Sequence, residues 1–152
     1  VEAALAAAGL GSRIVEMPGE TRTAQQAAAA AGCEIDQIVK SIVFRGEASG
    51  SVVLFLTAGG NQVAADLAAQ VAGEPLGRAD PMLVREQTGF AIGGVAPLGH
   101  LHPLRSFFDP RLLDFEIVWA AAGTPRHIFA IGPSELLHAT GAEMAEFTHP
   151  GA

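Results

Sequence analysis

Of the nine basic residues in this chain eight are Arg, and only Lys40 is Lys. A chain so rich in Ala and Arg is expected to retain a lysine where a compact ammonium on a flexible stem reaches what a planar guanidinium does not. Lys40 heads the run Lys-Ser-Ile-Val-Phe, which reads as a strand with apolar residues after the charge. Its head is therefore expected at a sheet's end or in a cleft. An edge lysine that guards against strand pairing is the plainer alternative. The second feature is Gly93-Gly94-Val95-Ala96-Pro97-Leu98-Gly99-His100. Adjacent glycines near a proline present backbone N–H groups bare, as needed to hold a carbonyl or oxyanion during acyl transfer. A simple Gly-rich turn is the alternative there.

Other constellations carry less. Lys40-Ser41 is not a Ser–Lys nucleophilic pair, because adjacent strand residues point to opposite faces. His100-x-His102 has a spacing found in metal sites, but no third ligand stands at a recognisable distance and Pro103 follows at once. Cys33 follows a helix-stopping glycine with no basic neighbour, so a structural thiol is expected. No GxSxG, HExxH, CxxC or Walker-type sequence is present.

The elements that must position these residues follow from periodicity and turn chemistry. Val1–Ala8 reads as a helix stopped by Gly9 and Gly11, and Arg13–Met17 as a brief strand before the Pro18-Gly19 turn. Thr23 is an N-cap for a helix over Ala24–Ala31 closed by Gly32. Ile35–Val39 reads as a helical turn. Lys40–Arg45 and Ser51–Ala58 form a hairpin through Gly46–Gly50. Gly59-Gly60-Asn61 turns into a helix over Val63–Ala72, and Pro75–Arg78 is extended. Asp80-Pro81 starts the helix Met82–Gln87, with Asp as cap and Pro at its first position. Phe90–Pro103 is a nearly uncharged Gly- and Pro-rich loop, the kind of place where sites lie. Leu104–Asp109, Phe115–Ala120 and Arg126–Ile131 are strands, and Pro133–Thr140 is a helix capped by Gly141. The pattern predicts a mixed α/β fold whose sheet is largely antiparallel with helices outside it.

Composition bounds the function. The 152 residues amount to one domain, expected to span 1–152, with 49% apolar residues available for a core. No apolar run approaches the roughly 18–20 residues of a membrane helix, and no signal peptide is expected at the start. A soluble protein with no membrane partner is expected. The single cysteine fits a reducing cytoplasm. A net charge of −7 speaks against gripping nucleic acid by general electrostatics.

Lys40 at the head of its strand, with Ala79-Asp80-Pro81-Met82 and Thr88-Gly89-Phe90-Ala91-Ile92 running into the glycine loop, resembles the YbaK/EbsC-like family. These are relatives of the editing domain inserted in bacterial prolyl-tRNA synthetases. Gly93 and Pro97 match the ends of the family's Gly-x-x-x-Pro loop. The resemblance implies a barrel-like, largely antiparallel sheet flanked by helices. It implies trans-editing hydrolysis of the ester on a mischarged tRNA, most often tRNA(Pro), with prolyl-tRNA synthetase as a further partner. It implies Lys40, Gly93 and Gly94 as catalytic positions. Ser41, Ala96, Pro97 and His127 are implied as substrate-binding positions, and neither metal nor organic cofactor. Ala122-Gly123-Thr124-Pro125-Arg126-His127 departs from the Gly-Gly-Lys-Arg-Gly-like stretch of the cysteinyl-tRNA(Pro) branch. That points to alanine, serine, threonine or 2-aminobutyrate as the edited amino acid. A non-catalytic tRNA- or nucleic-acid-binding module of the same fold, and a hydrolase of free amino acid esters, remain as alternative readings.

Overall fold

The computed structural model describes residues 14–16, 23–90, 95–98, 100, 104–124 and 127–150. The expected helix Val1–Ala8, the Pro18-Gly19 turn and the Gly93-Gly94 pair lie outside the described residues. In chain order these residues form β1 (Ile14–Glu16), α1 (Ala24–Ala31), a 3-10 turn (Ile35–Gln37), β2 (Ile38–Gly46), β3 (Val52–Ala58) and β4 (Asn61–Val63). Next come α2 (Ala65–Ala72), β5 (Leu76–Arg78), α3 (Pro81–Thr88), β6 (Arg105–Phe108) and a second 3-10 turn (Pro110–Asp114). The chain ends with β7 (Val118–Thr124), β8 (His127–Ile131), α4 (Pro133–Thr140), β9 (Glu143–Met144) and β10 (Thr148–Pro150).

The main sheet runs β1-β8-β7-β2-β3-β6-β9, with β5 also on β2, and a separate ribbon joins β10 to β4. Ladders β2–β7, β3–β6 and β6–β9 are parallel and the others antiparallel, so the sheet is mixed. β3 lies at its centre and is buried from Val52 to Ala58, which is why its sequence is an unbroken apolar run. Leu54 and Leu56 face a core completed by Val84 of α3, Leu136 of α4 and Leu112. Val53 and Phe55 face the other layer, with Ala68 and Ala72 of α2. Phe55 there stacks on Phe107 at 5.3 Å and meets Phe147 edge-on at 4.9 Å.

Capping is as the residue types dictate. The Thr23 hydroxyl accepts from the Gln26 N–H and the Gln26 side chain accepts from the Thr23 N–H, closing a capping box. Asp80 accepts from the Met82 N–H at 2.8 Å with Pro81 in the first turn. Three boundaries differ from the sequence reading. Ile38 and Val39 belong to β2, not to a helical turn, because β7 pairs with them. Val63 belongs to β4 because Thr148 lies opposite it from the far end of the chain. The strand expected over Phe115–Ala120 runs over Val118–Thr124, since the second 3-10 turn and its exit take up the residues before it.

Candidate active site

The two edges of β2 are occupied differently. Along one edge β3 pairs with it from Val39 to Arg45. Along the other, β7 pairs with Ile38 and Val39, and β5 with Phe44, Arg45 and Gly46. Residues 40–43 have no strand partner on this second edge among the described residues. Where β2 and β7 part, a cavity of about 350 Å³ opens, within the range of small-ligand sites. Lys40, Ser41 and Ile42 border it from β2, Trp119, Ala120 and Ala121 from β7, and Ile128 from β8. Because the cavity sits at a strand edge, residues from both faces of β2 reach it. Thr23, Ala24 and Ala27 cover it from the start of α1. Alanine carries nothing beyond Cβ, so this helix roofs the gap without filling it.

Lys40 is the one charged residue among the described walls of this cavity. Its Nζ donates to the main-chain oxygen of Asn61, just beyond the Gly59-Gly60 turn. Burial pushes the ammonium's pKa below the ordinary lysine range, and the nearby Asp109 and Asp36 carboxylates partly offset that push. Asp109 is only 2% exposed. One of its oxygens accepts from the Ala58 N–H at 3.1 Å and from the Asn61 side-chain amide at 3.0 Å, and the other from the Arg111 N–H at 3.0 Å. Asp36 accepts from the Gly60 N–H at 2.8 Å and from Arg111 Nε at 3.0 Å. The turn that receives the lysine is thus braced by two carboxylates.

Ser41 also borders the cavity, and its buried Oγ has no hydrogen-bond partner, the one such side-chain atom among the described residues. Val95 lines the cavity from the glycine loop. Ala96, Pro97 and Leu98 are buried directly behind it, and Val95 and Leu98 join the core. His100 closes this segment: its Nε2 lies 2.7 Å from the Ala96 carbonyl, which can only accept, so Nε2 carries the proton. The ring stands edge-on to Phe90 at 6.0 Å. Burial lowers the His100 pKa, with the carbonyl contact acting in the opposite sense, and the ring is held neutral. His100 therefore serves as a tie within the loop.

The structure brings Lys40 and Ser41 to one cavity and places Ala96 and Pro97 immediately behind its wall. His127 begins β8 opposite Glu16 and Thr124, next to the cavity-lining Ile128 but not itself among the lining residues. Gly93 and Gly94 lie outside the described residues. Sequence reasoning missed Asp109 and Asn61. The signal for Asp109 was available: Asp109-Pro110 repeats the Asp-Pro cap signature of Asp80-Pro81, yet Asp109 reads as a strand end when the apolar run before it is followed. No helix among the described residues is long and apolar enough to cross a membrane.

The family model of the aminoacyl-tRNA editing domain matches residues 18–139. A solved structure described as a candidate trans-editing enzyme for prolyl-tRNA synthetase is 49% identical, with a TM-score of 0.90 over 97% of this chain and 94% of that one. A scaffold protein used to present grafted linear epitopes is 46% identical, again with a TM-score of 0.90 and coverage of 97% and 94%. The uncharacterized protein YwhH of Bacillus subtilis (strain 168) is 33% identical over 123 residues, covering 81% of this chain and 78% of YwhH.

Proposed function

We propose that this chain, which belongs to the aminoacyl-tRNA editing domain family, hydrolyses in trans the ester joining a small non-cognate amino acid to the 3′ end of tRNA(Pro). The observation that carries this reading is the cavity between β2 and β7, with Lys40 as its one described charge and otherwise largely apolar walls. An uncharged aminoacyl group suits such walls, and the ammonium suits the phosphate or ribose oxygens of the terminal nucleotide. Discrimination between similar small side chains by a synthetase pocket is worth only about 1–3 kcal/mol per methylene, so a second site is needed to clear errors.

In this reading water adds to the ester carbonyl, the carbonyl carbon becomes tetrahedral, and its oxygen takes the negative charge. Backbone N–H groups of Gly93 and Gly94 receive that oxyanion. The intermediate collapses with release of the amino acid and of the terminal ribose hydroxyl, which regains a proton. Ala96 and Pro97 set the loop's path against the core, and Ser41 supplies a hydroxyl at the wall. His127 borders the pocket's outer end beside Ile128. The net charge of −7 disfavours a broad grip on tRNA, so contact is confined to the 3′ end and prolyl-tRNA synthetase delivers the substrate. The chain acts as one editing domain over residues 1–152, in the cytoplasm where charged tRNA is used.

The test is a panel of tRNA(Pro) charged with alanine, serine, threonine, 2-aminobutyrate or cysteine, incubated with the protein while loss of the aminoacyl group is followed. At least one of the four non-cysteine esters is expected to turn over well above the protein-free rate. Binding of tRNA without acceleration of any ester would establish the non-catalytic module instead.

A further inference from the structure

We infer that Asp109, acting through Asn61, is a positioning residue that fixes where the Lys40 ammonium stands; its bearing on catalysis rests on the role proposed for Lys40 above. Three contacts form a chain. Lys40 Nζ donates to the Asn61 main-chain oxygen, the Asn61 side-chain amide donates to Asp109 at 3.0 Å, and Asp109 is anchored by the Ala58 and Arg111 N–H groups. Capping the second 3-10 turn requires only the Arg111 contact. The other two contacts fasten the end of β3 and the residue that receives the lysine.

Nothing in this turn has room to drift. A Cβ on Gly59 would stand 2.1 Å from the Ile35 carbonyl oxygen, and one on Gly60 would stand 2.3 Å from an Asp36 oxygen. Asp36 holds the Gly60 N–H from the other side, and Arg111 in turn holds Asp36. The Asn61 carbonyl is therefore set by two carboxylates carried on two different 3-10 turns. A flexible lysine side chain gains a fixed end point, and a group held in place before the substrate arrives loses no orientational freedom on binding. Asp109 also acts by charge. Of the described groups, it and Asp36 favour the protonated amine against the effect of burial.

Because Lys40 is the only lysine, the full chain grown with lysine labelled at ¹³Cε gives one side-chain signal whose pH titration reads this amine alone. In Asp109→Asn the midpoint is expected at lower pH than in wild type, because a supporting negative charge is gone. Single-turnover deacylation of the best ester is expected to fall by about tenfold to a hundredfold, the range that follows misplacement of a catalytic group. If Asp109→Asn does not fold, Asn61→Ala keeps the carboxylate but cuts the link, and the same fall in rate is expected with thermal melts near wild type. An unmoved midpoint in folded Asp109→Asn overturns the inference even if the rate falls, since a purely structural part would lower activity without touching the amine. With Asp109→Asn unfolded, a wild-type rate in Asn61→Ala overturns it as well. A moved midpoint in a protein whose wild type deacylates nothing would remove the proposed function and leave the link between Asp109 and Lys40 standing.

Discussion

Replacing Lys40 separates the proposed site from an edge lysine that merely discourages strand pairing. The ammonium is half-buried and its one described contact is the Asn61 carbonyl, on a turn with no spare volume. Truncation to alanine removes a charged hydrogen bond worth about 1.5–3 kcal/mol to whatever oxygen the substrate offers. Removal of one charge-stabilising contact from a water-poor site costs about 100–1000-fold in rate, so Lys40→Ala is expected to lose at least 100-fold. Stability should change by about 1 kcal/mol or less, because the Asn61 carbonyl sits at a cavity that water can enter. Lys40→Arg keeps the charge but brings a wider, planar head to the same tight turn, and about a tenfold loss is expected. Single-turnover deacylation of one good mischarged tRNA by the three proteins, with thermal melts alongside, measures both effects. The pH dependence has a defined sign. Burial holds the amine below the ordinary lysine range, so the contribution of Lys40 is complete at neutral pH and is lost as pH rises through that lowered value. After subtraction of protein-free hydrolysis, wild type should decline on the alkaline side while Lys40→Arg stays flat. A Lys40→Arg rate equal to wild type would refute the argument from a compact cation, and a fully active Lys40→Ala would refute the site.

Three further outcomes are expected. A side chain added in the glycine pair should obstruct the bare N–H groups proposed there: Gly93→Ala or Gly94→Ala should lower turnover on the order of 10–1000-fold with melts unchanged, and full activity in a folded Gly93→Val would end that assignment. His100 is held neutral by burial, so its folded pKa lies below the ordinary imidazole value of about 6.5. The unfolded chain then takes up the proton first, and the stabilisation present above about pH 6.5 is lost as pH falls below it; wild type should lose Tm between neutral and mildly acid pH faster than His100→Gln, and parallel curves would contradict this. Gly59→Ala places a methyl against the Ile35 carbonyl oxygen at 2.1 Å. A cost of about 1–3 kcal/mol is expected from the forced shift, read as a lower Tm, and a wild-type melt would show that the turn yields more easily than its packing implies.

Much of the fold was legible because the local chemistry and the long-range partners agree. Thr23, Asp80 and Gly141 cap where their side chains or missing Cβ dictate, and the run through Leu54 and Phe55 is apolar on both faces because β3 is covered on both. The boundaries that moved did so where a distant strand decided them. Nothing within Gly59–Ala72 announces that Asn61–Val63 will pair with Thr148–Pro150, and a helical pattern extends naturally back to Val63. Likewise Ala120–Gly123 has weak strand propensity, yet β8 pairs against β7 as far as Thr124 across a register shift.

For the site, residue type was informative and support was not. Lys40 stood out as the single lysine, and Ser41 came with it as the next residue of the same strand. Their meeting at one cavity depends on a feature no local pattern encodes: β7 leaves β2 after two paired residues and β5 joins it only at Phe44. Asp109 lay hidden for a different reason. A buried carboxylate is tolerated only where donors converge on it, and its donors come from Ala58, Asn61 and Arg111, which the sequence distributes over three elements. The residue that presents a charge can be picked out one at a time. The residues that hold it still become visible only once the strand ends and turns are assembled, and it is there, around Asn61, that a change away from the cavity wall would alter what Lys40 does.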